Sequence, residues 1–187
     1  MPDPVTGSGS AGLEARIRRL EDHEELHQLV WRYSLALDAR DVHGLARMFV
    51  PDVEVGDGTR GHDALAAFFD HVMRSMGITF HLVGNHIIDF DDDDHARGVV
   101  YCRPEHEVDG EWIVMPMQYH DRYLRTSEGW RFASRSPRAF YAADVLQRPQ
   151  SAPGRFHFPG NRLITSARLP EQWDTWNTFR DAAPEPE

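Results

Sequence analysis

Apolar positions in the first part of the chain recur at helical steps: Leu13, Ile17, Leu20, Leu26, Val30, Tyr33 and Leu37. That spacing predicts one long amphipathic helix ending near Arg40. Asp41 can cap a short second helix over 42–49, with Leu45, Met48 and Phe49 inward, and Pro51–Asp52 breaks it. Residues 53–55 can form a short strand. A third helix is predicted over 62–75, with Leu65, Phe68, Phe69 and Val72 inward. After Gly77 the period changes to two. Strands are predicted over 79–89, with a bend at Gly84, and over 97–103, 112–125 and 130–136. Polar turns at 89–94, Asp109–Gly110 and 127–129 separate them. Three helices followed by an antiparallel meander predict an α+β fold, with a curved sheet wrapped around the first helix.

Composition divides the chain further. Residues 1–12 are rich in Gly, Ser and Pro and read as a flexible tail. Residues 13–141 carry the periodic apolar positions of one domain. Residues 142–187 form a Pro- and Gly-richer extension holding Phe156, Phe158, Leu163, Ile164 and Leu169. Pro170 opens a predicted short helix through Trp173, Trp176 and Phe179. That much apolar surface should cover the pocket mouth or a neighbouring subunit, whereas 184–187 should be disordered.

Charge and residue usage exclude several functions. A net charge of -10 opposes nucleic-acid binding, which needs a basic surface. No apolar run approaches the roughly 20 residues of a membrane span. Cys102 is the single cysteine, so no internal disulfide forms; with no hydrophobic leader, a cytoplasmic location is expected. Lysine is absent, which rules out Schiff-base and pyridoxal phosphate chemistry and a phosphate-loop lysine. There is no Gly-rich nucleotide loop and no Gly-x-Ser-x-Gly elbow. The histidines lack metal-site spacing, and Asp91–Asp94 lacks the pattern of a calcium loop. No cofactor or metal is therefore expected. Cys102 reads as a core residue.

His81 stands mid-strand in Phe80–His81–Leu82–Val83. An imidazole there can shuttle a proton near neutral pH, although His81 alone reads better as a core histidine bonded to backbone. Asp38 shifts that balance. It ends the first helix at the border of the apolar stripe, where the helix dipole disfavours a carboxylate and burial demands a partner. A sheet wrapped on this helix would bring Asp38 to His81, to fix its tautomer and raise its basicity. Tyr33, on the same helix, can donate to an oxyanion or a departing hydroxyl. Arg138, just past the last predicted strand, can hold a carbonyl or carboxylate. Glu105 is a further candidate acid, with a plain alternative as a solvated loop residue. Ordinary packing and a surface ion pair are the alternatives for Tyr33 and Arg138.

The run Trp31–Asp41, then Leu45–Phe49 with Pro51–Asp52, resembles the opening of the SnoaL-like group of the nuclear transport factor 2-like superfamily. The likeness continues through His81 and Asn85, Tyr119 to Tyr123, and Glu128 to Phe132, and covers residues 13–141. It implies a cone-shaped barrel of mainly antiparallel sheet around a long N-terminal helix, with a deep pocket. In the scytalone dehydratase, lindane dehydrochlorinase and bile acid 7α-dehydratase branch, an Asp at the end of the first helix pairs with a strand His. Asp38 and His81 match those positions, Tyr33 matches a functional tyrosine, and Arg138 resembles an arginine beyond the last strand. The branch's acidic strand position falls here on Pro104, with Glu105 beside it. The resemblance implies a cofactor-independent lyase acting on a small hydrophobic, polyketide-like or steroid-like substrate, with Phe49, Met117 and Tyr119 as further pocket residues. It also implies a homo-oligomer, trimer or dimer, with no nucleic-acid or membrane partner. An isomerase or polyketide cyclase with the same dyad, a non-catalytic small-molecule binding protein and a small oxygenase subunit are the alternatives.

Overall fold

The computed structural model describes residues 8–56, 58–159 and 166–182. The expectations for 1–7, Leu163, Ile164 and 184–187 lie outside these described residues.

Helix α1 (Ser8–Asp38) is the long predicted helix, about 46 Å at 1.5 Å per residue. Its apolar stripe divides in two. Leu26, Val30, Tyr33 and Leu37 are buried, whereas Leu13, Ile17 and Leu20 are exposed, Leu20 at 69%. The expectation of one continuous inward stripe is corrected here. The body reaches α1 from about Arg19 onward: its guanidinium lies 3.9 Å from the Phe90 ring centroid, and the buried Asp22 carboxylate takes Arg125 at 2.5 Å and Trp130 Nε1 at 3.1 Å. The turns before it project past the sheet.

Helix α2 (Val42–Ala46) is shorter than predicted. Asp41 caps it by accepting from the Gly44 amide at 2.8 Å. Met48 and Phe49 leave the helix because their backbone instead bridges Phe132 on the sheet. A small ribbon of β1 (Glu54–Gly56) and β2 (Thr59–Arg60) leads to α3 (His62–Met73), which buries Leu65, Phe69 and Val72.

The main sheet is antiparallel and has β4 (His95–Val108) as its spine. One edge of β4 pairs with β3 (Thr79–Phe90), which bulges between Val83 and His86, where the bend was expected. The other edge is shared by β5 (Glu111–Val114) and β6 (Met117–Thr126). The single strand expected over 112–125 is thus two, broken at Pro116, which has no N–H to give to a ladder. The edge strands β7 (Gly129–Ala139), on β6, and β8 (Ala143–Asp144), on β5, leave the sheet unclosed. Helix α1 packs against both β3 and β7, which lie on different sides of β4. The sheet must therefore curve around the helix, as in a cone.

Beyond β8, two 3₁₀ turns carry the chain back over the sheet, where Ala142 bridges Phe156 and His157 Nε2 meets Glu111 at 2.6 Å. A last short helix, α4 (Asp174–Asp181), follows. Among the described residues no helix is long and apolar enough to cross a membrane, and no group of three or more His, Cys, Asp or Glu could hold a metal ion.

Candidate active site

The dyad forms because the last residue of α1 meets the start of β3. Asp38 Oδ1 accepts from His81 Nδ1 at 2.7 Å and from Thr79 Oγ1 at 3.0 Å, and Oδ2 accepts from the His81 amide at 2.9 Å. One carboxylate thus grips the backbone and the ring of the same histidine. Arg40 Nη1 supports it from outside, donating to Thr79 Oγ1 at 2.7 Å. Burial alone would raise the Asp38 carboxyl, but its hydrogen bonds and charge contact with His81 outweigh that and hold it below its ordinary range. A carboxylate only accepts, so Nδ1 carries the proton and Nε2 keeps the lone pair. The His81 side chain is only 4% exposed, against 26% for Asp38.

His81 lines a cavity of about 250 Å³ between α1, α3 and the sheet. Its walls are mostly aromatic and thioether groups, among them Phe49, Phe69, Met115 and Met117, with Tyr33 and Tyr119. Burial pushes the Tyr33 phenol up to about 12, and Tyr119 also rises, so both hydroxyls keep their protons at neutral pH. Phe158, from the C-terminal extension, supplies one further wall.

Two polar groups on this cavity were missed in the sequence. His106 on β4 stands perpendicular to His81, with ring centroids 5.4 Å apart, and against Phe158 at 5.3 Å. Burial, then the proximity of His81, lowers its imidazole to about 3, so it is neutral. Its Nδ1 is buried without a partner among the described residues. Its signal was its parity with Val100, Cys102 and Val108, the inward residues of β4. Arg135 on β7 is the second. Its guanidinium lies 4.2 Å from the Tyr33 ring centroid and 4.3 Å from that of Tyr119, and it binds Asp121 through Nε at 2.9 Å and Nη2 at 2.7 Å. Burial opposes this charge, but Asp121 overrides burial and holds the arginine protonated. Nη1 is left buried and unpaired among the described residues. The signal was Asp121 itself, a carboxylate between Tyr119 and Tyr123 on the inward face of β6.

Arg138 and Glu105 do not line the cavity. Arg138 pairs in register with Gln118, one residue off the cavity-facing Pro137 and Tyr119, which puts it on the other face of the sheet. Glu105 accepts from Trp112 Nε1 at 2.7 Å and Arg103 at 3.1 Å, and these bonds hold its carboxyl low. Pro104 takes the cavity-facing position beside it.

The SnoaL-like domain family model matches residues 18–136. A crystal structure from Novosphingobium aromaticivorans, provisionally titled a scytalone dehydratase, is 24% identical, with a TM-score of 0.62 over 71% of this chain and 93% of that one. The hexachlorocyclohexane dehydrochlorinase LinA-type3 of Novosphingobium barchaimii is 20% identical, with a TM-score of 0.64 over 70% and 94%. An NTF2-like protein with a cystatin-like fold from Novosphingobium aromaticivorans is 27% identical, with a TM-score of 0.59 over 72% and 90%.

Proposed function

The chain belongs to the SnoaL-like domain family, and from that premise we propose that it is a cofactor-independent lyase removing water, or a comparable leaving group, from a small apolar ring molecule. The observation that carries this reading is the 2.7 Å bond from His81 Nδ1 to Asp38 at the wall of an apolar cavity. His81 Nε2 takes a proton from carbon, the C–H pair becomes the new double bond, and the leaving group departs with its own pair. Asp38 stabilises the imidazolium that forms and holds the ring in place.

Arg135 takes the substrate-holding role that the sequence assigned to Arg138, because it is the arginine on the cavity. Its fixed positive charge at the cavity wall suits an oxyanion or a leaving group as charge develops there. Tyr33 remains a neutral donor, and His106 offers a second neutral imidazole to a departing hydroxyl. The names of two structural neighbours, one a provisional scytalone dehydratase and the other a dehydrochlorinase, both denote eliminations, which supports the same reaction class.

The test is turnover with product mass. Wild type should release product lighter by the leaving group, and His81→Ala should lose on the order of 10²–10⁴-fold in rate while keeping its fold. Full turnover by His81→Ala overturns the proposal. A product of unchanged mass would assign the dyad to an isomerase or cyclase instead.

A further inference from the structure

Behind Arg135 runs a line of buried and half-buried polar groups that the elimination itself does not use. The Asp121 side chain is 0% exposed and that of Arg135 3%. Oδ2 of Asp121 also accepts from Tyr123 Oη at 2.7 Å, and that oxygen lies 3.1 Å from His86 Nε2. A phenol has one proton. Because it goes to the carboxylate, the bond to histidine must run from Nε2–H to Oη. His86 Nδ1 then carries the lone pair, and it is buried without a partner among the described residues. The line therefore has one direction: His86 to Tyr123 to Asp121 Oδ2, an oxygen that also takes Arg135 Nη2, while Nε of Arg135 binds Oδ1.

Gly98 on β4 supplies independent support. A Cβ there would come within 2.8 Å of Tyr123 Oη and 2.9 Å of His86 Nε2. Gly98 is not among the glycines with positive φ, so its backbone would accept any residue. What glycine provides at this position is room for the tyrosine–histidine hydrogen bond. Packing alone would not require the hydroxyl, since the Tyr123 ring already rests on Phe132 at 5.4 Å.

We propose that Tyr123 and His86 are positioning residues for Arg135. They fix the carboxylate of Asp121, and with it the guanidinium plane at the cavity wall. The Tyr123 proton also draws negative charge from Oδ2, so that Arg135 keeps more of its positive charge for a ligand. The inference rests on the reading of Arg135 as the cavity's donor.

Nitrogen NMR on the full chain tests it without a substrate. In wild type, His86 should show the Nε2–H tautomer and the Arg135 Nε–H should exchange slowly with water. Tyr123→Phe should speed that exchange by about tenfold, the effect of losing a hydrogen bond to a charged group. Gly98→Ala should do the same without altering any member of the line. His86→Leu should reproduce the effect, and His86→Gln, whose amide can still donate, should restore slow exchange. This last pair carries the test if Tyr123→Phe does not fold. Unchanged Arg135 exchange in a folded Tyr123→Phe, an Nδ1–H tautomer in wild type, or identical behaviour of the Leu and Gln variants overturns the proposal. His81→Ala should leave the Arg135 signal untouched, so loss of the elimination reading and loss of this one are told apart.

Discussion

Two carboxylates serve this cavity, and they are built differently. Asp38 sits at a helix C-terminus, its side chain 26% exposed, and holds a histidine. Asp121 sits on a strand, 0% exposed, and holds an arginine on two hydrogen bonds. On the proposed reading the first partner is the base that takes the substrate's proton, and the exposed rim of Asp38 lets water share the changing charge. The second partner stays charged at every working pH, and its carboxylate is fully buried. In the proposed mechanism the first pair moves a proton and the second holds a fixed charge.

The comparison breaks most visibly at Asp121. Asp121→Asn leaves a buried, uncompensated guanidinium and should cost about 3–5 kcal/mol of folding stability, read by chemical denaturation. Asp38→Asn should instead leave stability within about 1 kcal/mol of wild type while turnover falls on the order of 10²-fold, because the amide cannot stabilise the imidazolium. If Asp38→Asn unfolds the protein while Asp121→Asn does not, the contrast is reversed.

Acidity sharpens it further. As pH falls below the ordinary imidazole value of 6.5, the unfolded chain takes up a proton at His106, while the folded protein resists until about 3. Stability should therefore decline with acidification across that window, by at most about 1.4 kcal/mol per pH unit for this group. His106→Gln should flatten that part of the curve. Asp38 acts in the same sense at lower pH: its carboxyl is held below 3.8, so its contribution is present above that value and is lost only as pH falls beneath it. The smallest effect belongs outside both pairs. Leu20→Ser, on the exposed side of α1, should change stability by no more than about 0.5 kcal/mol.

The element order was legible because periodicity changes sharply after Gly77, and the dyad because each member was out of place for its element: a histidine amid apolar strand residues, a carboxylate at a helix C-terminus. His106 was missed because the second strand was ended at Arg103, just before Pro104. The structure shows why a proline is tolerated there. β4 exchanges β6 for β5 between Cys102 and Glu105, so the missing N–H falls in the gap between two partners. Arg135 was missed for a different reason. β7 is bulged opposite Arg122 and Tyr123, and a bulge resets which residues face inward, so simple alternation could not choose between Arg135 and Arg138. Leu13, Ile17 and Leu20 share the spacing of the buried stripe, and spacing says nothing of where the opposing sheet ends.

The segment matched by the family model ends at residue 136, yet Phe158 lies beyond it and still forms part of the cavity wall. The dyad and one contour of the cavity are therefore written in separate stretches of the gene, so exchange of the trailing stretch would reshape that space while leaving Asp38 and His81 in place.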